Sequence, residues 1–239
     1  MRVRVVAVAS AKGSPGCTFV AVNLARRLAD AGLETLLVDA DAEARGAASM
    51  FGAGAAAASG LLTRAARLSG LDPEAIERSS GPVGPRLRLL ELEPSGAAGV
   101  EGRELVSAAL DGRSAIVLDL GHLHGPLQHQ LAAAADWLLW VVSPDRQGLE
   151  RADAVLAGRP LGGASPGLVL NRISGSTLRG AEAVLVERHR MPVMARLLER
   201  RAVATGPRQA HRARAFRSGF SDLARTVHPD IPRAARTWP

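Results

Sequence analysis

The residues best suited to chemistry lie in Ala11–Thr18, "AKGSPGCT", between an apolar β-branched run and a run of helical spacing. A strand, a glycine-containing turn and a helix start together present backbone N–H groups and the positive end of the helix to an anion. Gly13 and Gly16 permit the tight turn and a close approach by phosphate. Thr18 stands where a hydroxyl ligates Mg²⁺ beside a bound phosphate. The generic loop G-x-x-x-x-G-K-[ST] is nevertheless broken twice: Ala11 replaces its first glycine and Cys17 its lysine. From these residues alone two readings stay open, a phosphate cradle short of one cation or a strand–turn–helix with no ligand. Lys12 is the single lysine among 30 basic residues. Lysine is a slim point charge that enters a crowded phosphate site, whereas arginine is bulky and forked.

Cys17 sits at a helix N-terminus, where a thiol pKa can fall. A redox switch or a nucleophile is one reading. A small side chain tolerated where a lysine was lost is the other. Nucleophilic cysteine needs a neighbouring base, and His122 and His124 are the nearest candidates. The run "GHLHGPLQH" (His122, His124, His129) reads either as metal ligands or as a polar loop after a strand.

The elements that must position these residues alternate. Strand-like runs are Arg2–Ser10, Thr35–Ala40, Arg86–Leu92, Ser114–Gly121, Trp137–Ser143 and Gly167–Ile173, with "MPVMARLL" as a last strand. Helical periodicity begins at Cys17, with Val20, Ala21, Leu24 and Leu28 on its face and Gly32 as its stop. Further helices are expected in "GRELVSAALDG", "PLQHQLAAAAD", "LERADAVLAG", Leu178–Arg190 and His211–His228. The last places Phe216, Phe220, Leu223, Ala224 and Val227 on one face. Residues 42–80 read as short helices and loops. Repeated β-then-α units predict an α/β, doubly wound, mainly parallel sheet with helices on both faces. One domain is expected over 1–228, with 229–239 as a Pro- and Arg-containing tail.

Composition narrows the function. The 239 residues suffice for one sizeable core, and no apolar run approaches a membrane span. "MRVRVVAVASA" imitates a signal peptide, but its apolar run is too short and reads as a buried first strand. A single cysteine excludes an internal disulfide framework and fits a reducing cytoplasm. Of the formal charge of +7, residues 201–239 hold eight Arg against two Asp. Arg208, Arg212, Arg214 and Arg217 form either a solvated helix face or a surface for nonspecific DNA or anionic lipid. Three prolines in the tail argue against a terminal amphipathic membrane helix. The scarcity of aromatics argues against stacking on single strands.

The loop resembles the deviant phosphate loop of the MinD/ParA family of P-loop ATPases, K-G-G-x-G-K-[ST]. The matching residues are Lys12, Gly13, Ser14, Pro15, Gly16, Cys17 and Thr18, and the following "FVAVNLARRLADAG" is similar to the family's helix. Other landmarks follow in order: "TLLVDADAEARGAASMFG" resembles the strand ending in D-x-D (Asp39, Asp41), "AIVLDLG" the Walker B strand (Asp119) and "LVLNRI" the strand carrying an Asn near adenine (Asn171). Taken singly, each Asp also reads as a strand-end cap or turn residue. The resemblance implies ATP or ADP with Mg²⁺, held by the loop, Thr18, Asn171 and, through water, Asp119. It implies Asp41 near the γ-phosphate and its attacking water, and Lys12 reaching the partner's phosphates in a nucleotide-dependent homodimer. Loss of the loop lysine resembles the TadZ/CpaE branch, whose members help place pilus or secretion machinery. After "MPV" the family commonly shows a Pro and an acidic residue at the base pocket, where this chain has "MARLLERR". The expected function is a cytoplasmic positioning switch, peripheral to membrane or nucleoid, binding nucleotide with weak or no hydrolysis. The alternatives are a nucleotide-free pseudo-ATPase scaffold and a nonspecific DNA-binding partition-type protein.

Overall fold

The structure is a computed structural model and describes residues 4–11, 16–41, 46–52, 70–92, 100–123, 125–158, 163–173, 179–198 and 214–231. Its strands are β1 (Arg4–Ser10), β2 (Thr35–Asp39), β3 (Gly81–Gly84), β4 (Leu87–Glu91), β5 (Ala115–His122), β6 (Trp137–Val142), β7 (Ser165–Ile173) and β8 (Val193–Leu198). They form one sheet in the order β3-β4-β2-β5-β1-β6-β7-β8. All pairings are parallel except β3 with β4. The described helices are α1 (Cys17–Asp30), α2 (Ala47–Phe51), α3 (Pro73–Ser79), α4 (Gly102–Ala109), α5 (Pro126–Ala133), α6 (Arg146–Ala157), α7 (Arg179–His189) and α8 (Arg214–Val227).

The central strands are apolar on both faces because helices cover both faces. Val6 and Val8 of β1 join Leu37, Val117, Leu139 and Val169 under α1 and α8. Their neighbours in β1, Val5, Ala7 and Ala9, join Ile116, Leu118, Trp140 and Leu170 under the helices of the other face. The period-two alternation of a single strand therefore feeds two cores. The α/β architecture is the one expected from the alternating runs.

Phe220, Leu223, Ala224 and Val227 of α8 are buried. Phe220 meets Phe19 of α1 edge-on, with ring centroids 5.9 Å apart. The far end of α8 is pinned where Nε2 of buried His228 lies 3.2 Å from the Ser114 carbonyl oxygen. The long last helix thus backs the helix that begins at Cys17.

Two local features depart from the sequence expectation. β3 makes an antiparallel hairpin with β4, in a Gly- and Pro-rich stretch for which the sequence predicts no element. Pro82 is tolerated there because β3 is an edge strand with one side free of ladder bonds. Helix α6 begins at Arg146, three residues before the expected start at Leu149, because the Asp145 carboxylate accepts the Gly148 N–H at 2.8 Å and caps it.

Candidate functional site

The chain leaves β1 toward β2 on one side of the sheet, while β6 lies on the other. Such a switch point opens a crevice at the C-terminal ends of the strands. Ser10, Asp39 and Asp119 end or nearly end β1, β2 and β5, and Asp39 pairs in register with Asp119. Helix α1 starts at the same edge. Its N-cap, Gly16, has φ 93°, a left-handed conformation that suits glycine.

The β5 end is distorted. Val8 pairs with Asp119 and Ala9 with Gly121, so Leu120 is an extra residue in a bulge. Gly121 takes φ 53°. A Cβ there would lie 2.3–2.7 Å from the carboxylate atoms of Asp41. The Ser10 hydroxyl donates to the Gly121 carbonyl at 3.3 Å, and the Cys17 thiol to the same oxygen at 3.8 Å. Gly121 therefore joins β1, α1, the Asp41 turn and β5. Neither Ser10 nor Gly121 stood out in the sequence, since bulges leave no periodicity signal of their own.

The carboxylates are differentiated. Asp39 is fully buried, and its two oxygens accept the N–H groups of Asp41 (3.2 Å) and Ala47 (3.1 Å). Burial pushes its pKa up to about 6 against the pull of those bonds. Asp119 is also fully buried. Burial first, then the charge of Asp39, pushes it up to about 8, although the nearby Thr18 hydroxyl lowers it. Its Oδ1 accepts the Gly121 N–H at 3.4 Å, while buried Oδ2 has no hydrogen-bond partner.

Those donors suit a hard cation. A hydroxyl and a carboxylate with an orphaned oxygen are Mg²⁺ chemistry, which leaves most positions to water and phosphate. Among the described residues no three His, Cys, Asp or Glu side chains group closely enough to hold a metal by themselves. His122 is half-buried at the end of β5 and His129 is exposed on α5. His124 lies outside the described residues.

Cys17 is a buried thiol. Burial, followed by the charge of Asp119, drives its pKa upward well beyond the ordinary thiol value. The fall that a helix N-terminus alone would produce is outweighed, so Cys17 is a neutral packing group rather than a thiolate nucleophile. It brings no charge to the loop.

Asn171 is buried, and its amide nitrogen stands 2.5 Å from where a Gly16 Cβ would be. It packs against the loop-to-helix junction. A cavity of about 780 Å³ opens beside the ends of β7 and β8, lined in part by Ile173, Val186, Leu198, Glu182 and Arg196. Lys12, Gly13, Ser14, Pro15, Arg208 and Arg212 lie outside the described residues, as do 232–239. Arg214 and Arg217 belong to α8. No helix among the described residues is long and apolar enough to cross a membrane.

Known proteins share this frame. The ParA family ATPase from Chlorobium tepidum is 22% identical, with a TM-score of 0.70 over 95% of this chain and 93% of that one. The septum site-determining protein MinD complexed with Mg-ADP from Pyrococcus horikoshii is 20% identical, with a TM-score of 0.73 over 95% and 96%. The MinC:MinD cell division protein complex of Aquifex aeolicus matches at 20% identity, with a TM-score of 0.72 over 96% and 97%. At such identities the likeness is one of fold. No protein of curated function matches the sequence. The profile of the CobQ/CobB/MinD/ParA nucleotide binding domain matches residues 6–212. With an eight-stranded, mostly parallel sheet and a loop–helix junction facing strand-end carboxylates, the chain belongs to that family of nucleotide-binding domains.

Proposed function

We propose that this protein is a MinD/ParA-like positioning or assembly switch that binds ATP or ADP with Mg²⁺ and hydrolyses ATP slowly or not at all. The observation that carries this reading is the pairing of an intact oxygen cluster with a neutral, buried Cys17. Thr18 and Asp119 retain the chemistry of a Mg²⁺ site, and the orphaned Oδ2 of Asp119 is a buried acceptor suited to a cation's water. Cys17 supplies none of the charge that a loop lysine gives to β- and γ-phosphates. In this reading residues 12–18 form a deviant Walker A loop, Asn171 steadies its exit, and Asp41 orients the attacking water. Lys12 crosses a nucleotide-dependent homodimer to restore part of the missing charge. Residues 1–228 act as a single domain with 229–239 as a tail. The missing loop lysine favours the TadZ/CpaE branch, and so a cytoplasmic role beside pilus or secretion machinery with a protein partner.

Isothermal titration with ADP and a nonhydrolysable ATP analogue, each with Mg²⁺, tests the reading. Micromolar binding is expected, weakened for the triphosphate by Lys12→Ala. Turnover comparable to ordinary members of the family would sink the slow-hydrolysis part. A nucleotide-free scaffold is the second reading, favoured by the buried seat of Cys17, which packs at the start of α1 against the Gly121 carbonyl without adding charge. Absence of binding at millimolar nucleotide would establish it. If the C-terminal arginines instead serve nonspecific DNA, affinity for DNA falls steeply with salt, and replacing Arg212, Arg214 and Arg217 abolishes it.

A further inference from the structure

Gln128 is a buried amide at the third position of α5, outside the loop, the carboxylates and the cation donors. Its Nε2 donates to the Ala40 carbonyl at 3.2 Å, and its Oε1 accepts the Gly125 N–H at 3.1 Å. Ala40 is the residue between Asp39 and Asp41, and its own N–H is held by the Asp119 carbonyl at 2.8 Å. Gly125 belongs to the turn that follows β5. One side chain thus bridges the segments that leave β2 and β5, the two that border the carboxylate cluster.

The chemistry of the bridge is specific. It requires a donor and an acceptor on one planar group, which a carboxamide provides. A carboxylate could accept from Gly125 but would face the Ala40 carbonyl with a second acceptor. A thioether has no donor for the Ala40 carbonyl and is only a weak acceptor for the Gly125 N–H. The bond to Ala40 is buried and the bond to Gly125 partly buried, so losing the first leaves a buried backbone carbonyl unsatisfied. The Asp41 carboxylate rests against Gly121, so a shift of the turn after β5 reaches Asp41 from two directions, by contact at Gly121 and by the pull on Ala40.

We propose that Gln128 is a positioning residue that ties the turn after β5 to the Asp41 turn, making the place of the Asp41 carboxylate depend on the segment that follows Asp119. The proposal rests on the nucleotide-switch reading for its consequence but not for its geometry. In the full-length protein, Gln128→Met and Gln128→Glu are compared with the parent in two measurements. The first is amide hydrogen exchange without nucleotide. Exchange over 40–52, including the Asp41 and Ala47 amides, is expected to rise about tenfold or more in both variants, while α1 and α8 stay protected. Unchanged exchange over 40–52, or a rise spread evenly over the chain, overturns the tie.

The second measurement is the ratio of affinities for the Mg²⁺-bound nonhydrolysable ATP analogue and Mg-ADP. Preference for the triphosphate form is expected to drop about tenfold, with ADP affinity within about twofold. An Asp41→Asn background is expected to abolish that drop, because Asp41 is the group through which Gln128 acts. An equal loss for both nucleotides would mark a merely structural residue and overturn the proposal. If the parent binds neither nucleotide, the switch reading fails, and the exchange result alone decides the tie.

Discussion

At the scale of residues, buried carboxyls set the chemistry. Asp39 and Asp119 hold their protons more tightly in the folded chain than in the unfolded one. The stabilisation this gives is complete below about pH 4, the ordinary carboxyl range. It is lost as pH rises through about 6 for Asp39 and about 8 for Asp119. For Asp39 alone the loss is on the order of 3 kcal/mol. The ligand-free protein is therefore expected to melt at progressively lower temperature from pH 5 to pH 9. Asp119→Asn should flatten that slope and raise the melting temperature at the alkaline end; thermal melts across pH decide it. Cys17 makes the complementary prediction. Its thiol should stay inert to an aromatic disulfide reagent at pH 8 until denaturant opens the fold. Cys17→Lys should tighten binding of the Mg²⁺-ATP analogue about tenfold by returning a cation to the phosphates; unchanged affinity would mean that the loop holds no phosphate.

At the scale of elements, the bulge in β5 matters most. Gly121→Ala would place a methyl group in the space of the Asp41 carboxylate and force an L-residue into φ 53°. A loss of about 1–3 kcal/mol is expected, together with displacement of Asp41, seen as weaker triphosphate binding at nearly unchanged ADP affinity. Helix α2 is similarly held at both ends. Asp39 accepts its first N–H, while Arg26 donates to the Met50 carbonyl at 2.8 Å and stands 4.5 Å over the Phe51 ring. Arg26→Ala should cost roughly 1–2 kcal/mol, with the added hydrogen exchange confined to 46–52. Order, number and type of most elements were legible because parallel strands and amphipathic helices write their periods into the sequence. The β3 hairpin was not, because an edge strand carrying glycine and proline lacks the apolar run that marks a covered strand.

At the scale of the whole molecule, the two cores place α1 and α8 on one face and the helices α3 to α7 on the other. This leaves the strand ends and the start of α1 as the common edge. If that edge seats nucleotide between two copies, light scattering should show the mass doubling with the Mg²⁺-ATP analogue but not with Mg-ADP, and Lys12→Ala should keep the chain monomeric. Doubling without nucleotide would contradict a nucleotide-dependent switch.

The sequence by itself determined the α/β alternation, the loop between β1 and α1, and the carboxyls at strand ends, because these are local: each follows from a period, a turn residue or a short spacing. It left the state of Cys17 open, since a helix N-terminus and burial pull a thiol in opposite directions. Only the packed fold decides which wins. Tertiary structure alone brought Ser10, Cys17, Asp41 and Asp119 around Gly121, and Gln128 onto Ala40, through hydrogen bonds that join Ser10 to Gly121 across 111 residues, Cys17 to Gly121 across 104 and Gln128 to Ala40 across 88. Such contacts depend on strand order and on one bulge, and neither is encoded in the spacing of the residues they join.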